Sequence, residues 1–361
     1  MKRALVLARL GGGRTSPNPM VGAVIVKKGK VIAEGHHERA GGPHAEAVAL
    51  EKAGGKAKGA ELYVNLEPCC HTKKRTPPCV GAIIGAGIKK VVAAMTDPNP
   101  NVSGKGFEAL ERAGIEVVSG VLENEARALN EAYIKFIRTG KPFVILKSAM
   151  TLDGRIATRT CESKWITGPE ARRLVHKLRF EVDAVLTAVG TVKADDPQLT
   201  CRLEEPEPSG KKAVKNPIRV VIDPDMESPP ASKIFKTPPQ TILVTRKAAP
   251  AWLEALPGVK LLQPDQREIS LPWLMEELGR MGITSVLIEG GSSLNARAIE
   301  QGVVDKVMLF YAPSIMGGRE SVPAFGGKGA ARLSDMAKVR SLSVKRIGKD
   351  ILLTGYIEPG S

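Results

Sequence analysis

The chain has 361 residues, and its 53 lysines and arginines outnumber its 38 aspartates and glutamates to give a formal net charge of +15. This length allows two domains, each with a core of its own, and no apolar run approaches the roughly 18 residues of a membrane-spanning helix. Five cysteines, three of them in one short segment, favour a reducing cytoplasm over a disulfide framework. The basic residues are scattered over both halves, so phosphorylated small molecules suit this charge as well as nucleic acid does.

The first half alternates strand-like apolar runs with helical periods. We predict an amphipathic helix over residues 1–8 and a closing helix over 123–138, with Leu129, Tyr133 and Ile137 on one face. Between them we predict strands at 20–26, 62–66, 91–95 and 116–119, and helices at 44–52, 79–86 and 106–112. This alternation predicts a mostly parallel sheet with helices on both faces, which is a three-layer α/β/α domain.

One His, one Glu and two Pro-Cys steps make up the most informative motif of the first half. His44 begins a predicted helix, Cys69 lies at the exit of a strand, and Cys79 begins another helix. Three such ligands leave the fourth position of a tetrahedral zinc open for water, as catalytic zinc sites do. Glu46 is not a ligand but can carry a proton from that water to a leaving amine, as in the zinc deaminases. The motif predicts a deaminase site with one zinc per chain.

The ligand assignment leaves alternatives open. Cys70 and His71 carry donor atoms too, and Cys69 is favoured because it directly follows a proline. Nine residues separate Cys69 from Cys79, whereas base deaminases of nucleic acid carry the short spacing P-C-x-x-C. This insert contains three adjacent cations at 73–75, which suit an anionic substrate, although such a run can also be a solvated face.

A linker is predicted at residues 139–142, and a second α/β pattern follows it. We predict strands at 143–147, 183–186, 219–222, 241–244 and 285–289, and a late pair at 306–311 and 351–356. The stretch 204–215 is rich in Glu, Pro and Lys and predicts a loop. A Rossmann G-x-G-x-x-G is missing, but the two glycines after Glu289 stand between a strand and a helix. Glycines there allow backbone N–H groups to approach a pyrophosphate, although they also occur in ordinary turns.

Several longer motifs extend over both halves of the chain. They are TSPNPMVGAV at 15–24, PHAE at 43–46, LEPCCH at 66–71, TPPC at 76–79, DPNP at 97–100, GKG at 104–106, TLDGR at 151–155, WITG at 165–168, GTVKADDP at 190–197 and EGG at 289–291. In these motifs the chain resembles the bifunctional deaminase/reductase family of riboflavin biosynthesis over nearly its whole length. The long cysteine spacing followed by a reductase-like half is more specific than either motif alone.

The resemblance implies a cytidine-deaminase-like α/β/α domain over residues 1–141 and a dihydrofolate-reductase-like α/β domain over 142–361. The implied cofactors are zinc and NADPH, not NADH. The implied reactions are hydrolytic deamination of 2,5-diamino-6-(5-phosphoribosylamino)pyrimidin-4(3H)-one, then reduction of the resulting phosphoribosylamino-uracil to its ribityl form. We expect a cytoplasmic homo-oligomer, a dimer or tetramer, that acts on these small molecules and has no nucleic-acid or membrane partner.

The resemblance also implies individual contacts. Asn18 is implied to bond the pyrimidine. The implied NADPH contacts are Ala149, Trp165, Thr191, Asp195, Gly291, Ser292, Ser293, Leu294, Asn295, Ala296 and Arg297. The implied contacts to the ribosyl phosphate are Ser163, Arg179, Leu199 and Arg202, with Glu289 near the reacting sugar. Physical reasoning supports the two arginines, whose planar forks suit a phosphate dianion, whereas a tryptophan is more often a core residue.

The chain departs from the family pattern at one position, and two rival functions are considered. Cys161 stands where the family usually has glycine, so the loop that carries Ser163 is expected to be stiffer. A nucleic-acid base deaminase with an accessory domain is the alternative from the same chemistry, and it predicts a steep salt dependence of binding. A non-catalytic zinc scaffold is the alternative from another class, and Glu46 argues against it because a structural zinc needs no carboxylate beside it.

Overall fold

A computed structural model of the chain describes residues 1–70, 77–203, 215–264 and 268–358. The chain divides into two compact units, Met1–Gly140 and Lys141–Ser361. Within the described ranges, no helix combines the length and apolar character needed to cross a membrane. The loop predicted at 204–215 lies outside the described residues except for Lys215.

The N-terminal unit is built on one sheet. Its strands are β1 (Gly22–Lys27), β2 (Lys30–His36), β3 (Glu61–Val64), β4 (Lys90–Ala93) and β5 (Glu116–Val118). Its helices are α1 (Lys2–Arg9), α2 (Ala45–Ala53), α3 (Cys79–Gly85), α4 (Lys105–Arg112), α5 (Glu123–Leu129) and α6 (Glu131–Thr139). The strand order is β2-β1-β3-β4-β5, where β1 runs antiparallel to both neighbours and β3, β4 and β5 run parallel.

Two glycines let helices pack closely on this sheet. A Cβ on Gly22 of β1 would lie 2.1 Å from the carbonyl oxygen of Ala4 in α1, and a Cβ on Gly35 of β2 would lie 2.4 Å from that of Ala45 in α2. Gly35 pairs with Ala23, the residue after Gly22, and successive strand residues face opposite sides. Helices α1 and α2 therefore cover opposite faces, which gives the predicted three layers.

The hairpin of β1 and β2 departs from the mostly parallel sheet that we predicted, and β2 was not predicted. Lys27 pairs with Lys30, so the connecting loop has two residues, Lys28 and Gly29, with φ of 50° and 75°. Positive φ at both positions is the turn geometry that matches the twist of an antiparallel pair. The Lys-Gly step was the available signal, but it is weaker than the common Asn-Gly.

The predicted closing helix over 123–138 is wrong as one helix, because it breaks at Asn130 between α5 and α6. Asn130 is buried, and its φ of −110° and ψ of 25° lie outside the helical region. Its side-chain oxygen accepts from the backbone N–H of Met20 at 2.8 Å, and its Nδ2 donates to the Met20 carbonyl at 3.0 Å. This pairing satisfies the backbone of the segment before β1, so a tertiary contact overrides the helical pattern.

The C-terminal unit contains a larger sheet and a small strand pair. Its strands are β6 (Phe143–Thr151), β7 (Arg155–Ala157), β8 (Ala184–Ala188), β9 (Ile218–Ile222), β10 (Thr241–Val244), β11 (Val259–Leu262), β12 (Ser285–Ile288), β13 (Lys306–Ala312), β14 (Val322–Pro323), β15 (Val339–Ile347) and β16 (Asp350–Ile357). Its helices are α7 (Pro169–Glu181), α8 (Val189–Asp195), α9 (Lys233–Lys236), α10 (Ala251–Glu254), α11 (Leu271–Arg280) and α12 (Ser292–Glu300).

Over the described residues, the large sheet has the order β11-β10-β9-β8-β12-β6-β13-β16-β15. The strands from β11 to β13 run parallel, and β16 and β15 are antiparallel additions at one edge. Strands β8 and β12 are neighbours, and each is followed by a helix, α8 or α12. The carboxyl ends of adjacent parallel strands meet at one edge of a sheet, which is where α/β proteins bind ligands.

Candidate active sites

The predicted metal ligands of the N-terminal unit converge. His44 caps the N-terminus of α2 and Cys79 is the first residue of α3, while Cys69 follows β3. The Nδ1 of His44 lies 3.5 Å from the Sγ of Cys69 and 3.3 Å from the Sγ of Cys79, and the three ligand atoms lie within 4.8 Å of one another. A tetrahedral zinc with bonds of about 2.0 and 2.3 Å separates nitrogen and sulfur ligands by about 3.5 Å. These side chains therefore fit zinc.

Glu46 lies two residues after His44, in the first turn of α2, and is almost completely buried, at 3% exposure. Its Oε2 has no hydrogen-bond partner among the described residues. Burial is the main cause that raises the pKa of the Glu46 carboxyl, and the charge of Cys69 raises it further. A buried carboxyl oxygen without a partner is costly unless a ligand uses it, so this atom fits a proton-carrying role beside the metal.

The sequence left Cys70 and His71 open as alternative metal ligands. Cys70 is half-buried and is not part of the cluster that His44, Cys69 and Cys79 form within the described residues. His71 and the cations at 73–75 lie outside the described residues.

Glu67 secures the segment that carries Cys69. It is buried, its Oε1 accepts from the backbone N–H of Gly106 at 2.8 Å, and its Oε2 accepts from those of Asp97 and Gly104 at 3.1 and 3.0 Å. Three backbone donors on one carboxylate fix its position firmly. Sequence reasoning missed this role, although a Glu beside two cysteines in an apolar segment was a visible signal.

His37 connects Asn18 to the metal cluster. Its Nδ2 is 3.2 Å from the Nε2 of His37, and the His37 ring lies edge-on to that of His44, with 5.5 Å between centroids. Burial lowers the pKa of His37. The sequence did not single out His37, because nothing in the adjacent pair His36 and His37 distinguishes the buried ring from the other.

In the C-terminal unit, Glu289 lies between two cations. Arg179 from α7 donates through Nε to its Oε1 at 2.5 Å and through Nη2 to its Oε2 at 3.0 Å, and the Nζ of Lys147 in β6 is 3.3 Å from Oε2. Burial alone would raise the pKa of Glu289, but the charges and hydrogen bonds of Arg179 and Lys147 outweigh it and lower the pKa to about 2. Glu289 is therefore a fixed negative charge at neutral pH.

The two arginines predicted to bind phosphate differ in availability. Arg179 is already engaged by Glu289, and its Nη1 donates to the carbonyl of Thr200 at 3.1 Å. Arg202 is exposed, and its guanidinium has no hydrogen bond to any described residue. Of the two, Arg202 has the guanidinium that a phosphate could engage without competition.

The predicted cofactor turn begins helix α12, with Gly291 as its N-cap. A Cβ on Gly291 would lie 3.7 Å from the Oγ1 of Thr191, so these two predicted contacts are neighbours. The buried Oγ of Ser292 has no partner among the described residues, as expected if a phosphate oxygen binds there. The remaining predicted contacts of this helix differ in exposure: Ser293 is exposed, Leu294, Asn295 and Ala296 are buried, and Arg297 donates to the carbonyl of Ile269 at 2.8 Å.

Ser163, a predicted substrate contact, and Asp195, a predicted NADPH contact, are hydrogen-bonded to each other. The Oγ of Ser163 donates to Asp195 at 2.8 Å, and Lys164 donates to the Asp195 carbonyl at 3.0 Å. Trp165 is 71% exposed, with the Arg172 guanidinium 4.7 Å from its ring centroid, so it is not a core residue. The remaining predicted contacts lie elsewhere: Ala149 is half-buried in β6, and Leu199 is buried with a φ of 51°.

Known proteins match both units. Residues 142–353 match the family described as RibD C-terminal domain, and residues 1–95 match the cytidine and deoxycytidylate deaminase zinc-binding region. The riboflavin biosynthesis protein RibD of Aquifex aeolicus is 44% identical over 98% of this chain and 96% of its own, and that of Escherichia coli K12 is 42% identical over 98% and 97%.

Solved structures agree over the full length. RibD of Acinetobacter baumannii has a TM-score of 0.89 at 39% identity, covering 99% of this chain and 97% of its own. A diaminohydroxyphosphoribosylaminopyrimidine deaminase/5-amino-6-(5-phosphoribosylamino)uracil reductase from Thermotoga maritima has a TM-score of 0.88 at 40% identity, with the same coverage.

Fold and sites together define a zinc-binding deaminase joined to a reductase. The chain belongs to the RibD family of riboflavin biosynthesis proteins. It is a bifunctional deaminase and reductase whose cofactors are zinc and NADPH, and its mixed α/β architecture confirms the predicted fold class. The match of residues 142–353 sets aside the alternative of a nucleic-acid base deaminase with an accessory domain.

Proposed function

We propose that residues 1–141 deaminate 2,5-diamino-6-(5-phosphoribosylamino)pyrimidin-4(3H)-one and that residues 142–361 reduce the deaminated product with NADPH. The observation that carries the first step is the convergence of His44, Cys69 and Cys79 beside the buried Glu46. The name of the Thermotoga maritima protein, which states both activities, supports the choice of substrates.

In the deaminase site, His44, Cys69 and Cys79 hold the zinc. Zinc, when bound, is a Lewis acid that lowers the pKa of a water molecule toward neutrality. Glu46 accepts a proton on Oε2, which no described residue bonds, and passes it to the departing amine, so that water replaces the 2-amino group and ammonia leaves. Asn18 bonds the pyrimidine ring and keeps the reacting carbon in place.

When bound in the reductase site, NADPH would supply the hydride for reduction of the ribosyl carbon. The N-terminus of α12 receives its pyrophosphate, since the first backbone N–H groups of a helix have no partner within the helix. Its remaining contacts are those predicted at Ala149, Trp165, Thr191, Asp195 and along Gly291, Ser292, Ser293, Leu294, Asn295, Ala296 and Arg297.

The substrate is held on the other side of this site by five residues. Arg202 pairs with the phosphate, and Ser163 and Leu199 line its pocket. Glu289, kept ionised by Arg179 and Lys147, accepts hydrogen bonds from the sugar hydroxyls. Arg179 contributes by fixing Glu289 and by adding positive charge near the phosphate.

The protein assembles as a homo-oligomer through strand β15. This strand is the last of the large sheet, and its Leu342 and Val344 are 60% and 67% exposed. Exposed apolar side chains on an edge strand favour pairing, and a second copy of the same strand would cover these two. Leu342→Lys should convert a dimer or tetramer to a smaller species in light scattering, and an unchanged mass would contradict this interface.

The compartment that fits this chemistry is the cytoplasm. None of the five cysteines forms a disulfide, and the zinc site needs two of them as thiolates. A reducing compartment keeps such thiols available for metal.

The decisive experiment supplies the diaminopyrimidine phosphate with and without NADPH and follows ammonia and cofactor absorbance separately. Ammonia release without NADPH, followed by cofactor oxidation on the deaminated product, is the expected order. Cofactor oxidation on the diamino compound without any ammonia release would contradict the proposed sequence of steps.

A further inference from the structure

We propose that His37 is a positioning residue that fixes the side-chain amide of Asn18, so that the amide oxygen faces the substrate and accepts from a pyrimidine N–H. This inference rests on the deaminase function proposed above.

His37 connects three parts of the deaminase site. Its ring is buried at 3% exposure, directly after strand β2 ends at His36. The Nδ1 atom is 2.9 Å from the carbonyl oxygen of Pro43, the residue before His44, and the Nε2 atom is 3.2 Å from the Nδ2 of Asn18. These two atoms are the partners of the ring nitrogens among the described residues.

The hydrogen atoms of this chain of contacts follow from elementary bonding rules. The Pro43 carbonyl can only accept, so the Nδ1 of His37 carries a hydrogen. The side-chain nitrogen of Asn18, which can only donate, faces Nε2 at 3.2 Å, so Nε2 accepts and the ring carries its hydrogen on Nδ1 alone. The Nε2 of a neutral ring with hydrogen on Nδ1 is an acceptor, and Asn18 must donate to it through Nδ2.

The orientation of Asn18 determines what it can recognise. With Nδ2 committed to His37, the half-buried side chain has Oδ1 left, which has no hydrogen-bond partner among the described residues. An amide oxygen accepts hydrogen bonds only. The proposed substrate carries a ring N–H at position 3, next to the carbon that loses its amine. A pyrimidine methylated at that nitrogen would leave Oδ1 unpaired and would be rejected.

His37 acts through Asn18, so the two residues should be coupled. Asn18→Ala and His37→Phe should each raise the KM for deamination about five- to tenfold, as expected for one neutral hydrogen bond. The double variant should match Asn18→Ala alone, because without Asn18 there is no amide to orient. His37→Gln, whose amide oxygen can replace Nε2 as acceptor, should recover part of the loss. All variants should retain one zinc per chain, and His36→Phe, which alters the neighbouring half-buried imidazole, is the matched control.

The proposal would be overturned if the increases in KM of the two single variants multiply in the double variant, or if His37→Phe loses zinc. Either result would mean that His37 acts through His44. A second readout does not depend on activity. In long-range ¹H–¹⁵N spectra of the zinc-loaded protein, the His37 signals, assigned by their loss in His37→Phe, should show hydrogen on Nδ1 and none on Nε2. Hydrogen on Nε2 would overturn the proposal. If the wild-type protein releases no ammonia, the deaminase function fails, while these spectra still decide the orientation of Asn18.

Discussion

Glu46 in the N-terminal unit and Glu289 in the C-terminal unit are both nearly inaccessible to solvent, and the surroundings of these two carboxylates are opposite. Glu46 has a side-chain oxygen that no residue in the described part of the chain bonds, and burial raises the pKa of this carboxyl. Glu289 is held by Arg179 and Lys147, and its pKa falls to about 2. A carboxyl that gains and loses a proton easily suits a proton carrier, whereas one that stays ionised suits a fixed anchor.

The comparison shows that burial alone does not decide a carboxylate's role. Both side chains are nearly inaccessible to solvent, so the difference comes from the charges next to them. Near Glu46 the positive charge is a metal ion that the protein must bind, whereas near Glu289 it belongs to the chain itself.

The largest effect should come from removing the metal ion, which supplies the positive charge near Glu46. Cys69→Ser or Cys79→Ser should abolish zinc binding and deamination together, because each removes one of three protein ligands. Metal content by mass spectrometry of the native protein measures the loss. Cys70→Ser is the matched control, and it should keep both zinc and activity. Zinc retained in both ligand variants would show that the cluster is not the metal site.

A large effect on stability should come from removing the fixed charge of the second site. Glu289→Gln leaves Arg179 and Lys147 buried without their anion, which typically destabilises a protein by about 3–5 kcal/mol. Urea unfolding measures the change. Glu276→Gln breaks an exposed pair with Lys141 and should leave the unfolding midpoint unchanged. Equal effects of the two substitutions would remove the distinction between buried and exposed pairs.

The pH dependence of the free energy of unfolding should report the charge of Glu289. The pKa of Glu289 lies at about 2 in the folded state against an ordinary 4.5, so its stabilising contribution is complete above about pH 4.5 and is lost as the pH falls toward 2. The wild-type protein should therefore lose more stability over this range than Glu289→Gln does. Parallel curves for the two proteins would mean that Glu289 is not held ionised.

The smallest effect expected from the comparison of the two sites separates the two ligands of the reductase. Arg202→Ala should raise the substrate KM about ten- to a hundredfold and leave NADPH affinity nearly unchanged, because a charge-assisted bond to phosphate is lost. Gly291→Val should weaken NADPH instead, because a branched side chain blocks the approach of the pyrophosphate to the backbone. Titration of both ligands with both variants decides this, and the reverse pattern would exchange the two pockets.

The sequence indicated which side chains come together in this cluster, because His44 and Cys79 lie at the starts of helices and Cys69 lies in the segment that follows β3. His44 precedes α2 and Cys79 begins α3, so chain order alone brings the donors to neighbouring element ends. The position of a ligand at an element boundary can be inferred from local pattern, which is why these residues needed no tertiary information.

Residues that depend on distant pairing were not predictable in this way. Lys147 contacts Glu289 across 142 positions of sequence, because β6 lies beside β12 in the sheet. The break at Asn130 likewise depends on Met20, which is 110 positions away. In the sequence, Lys147 is an isolated lysine in an apolar strand and Asn130 is a polar residue in a helical pattern. Neither pattern indicates which distant residue is the partner.

The most direct test of the two roles is to measure both reactions in Glu46→Gln and in Glu289→Gln. Glu46→Gln should retain zinc and lose ammonia release by about 10²–10⁴-fold, while NADPH oxidation on the deaminated product stays at the wild-type rate. Glu289→Gln should do the reverse, with normal ammonia release and a reductase weakened by about tenfold or more. Ammonia release within about tenfold of wild type in Glu46→Gln, or loss of both reactions in either variant, would contradict the assignment of one carboxylate to each reaction.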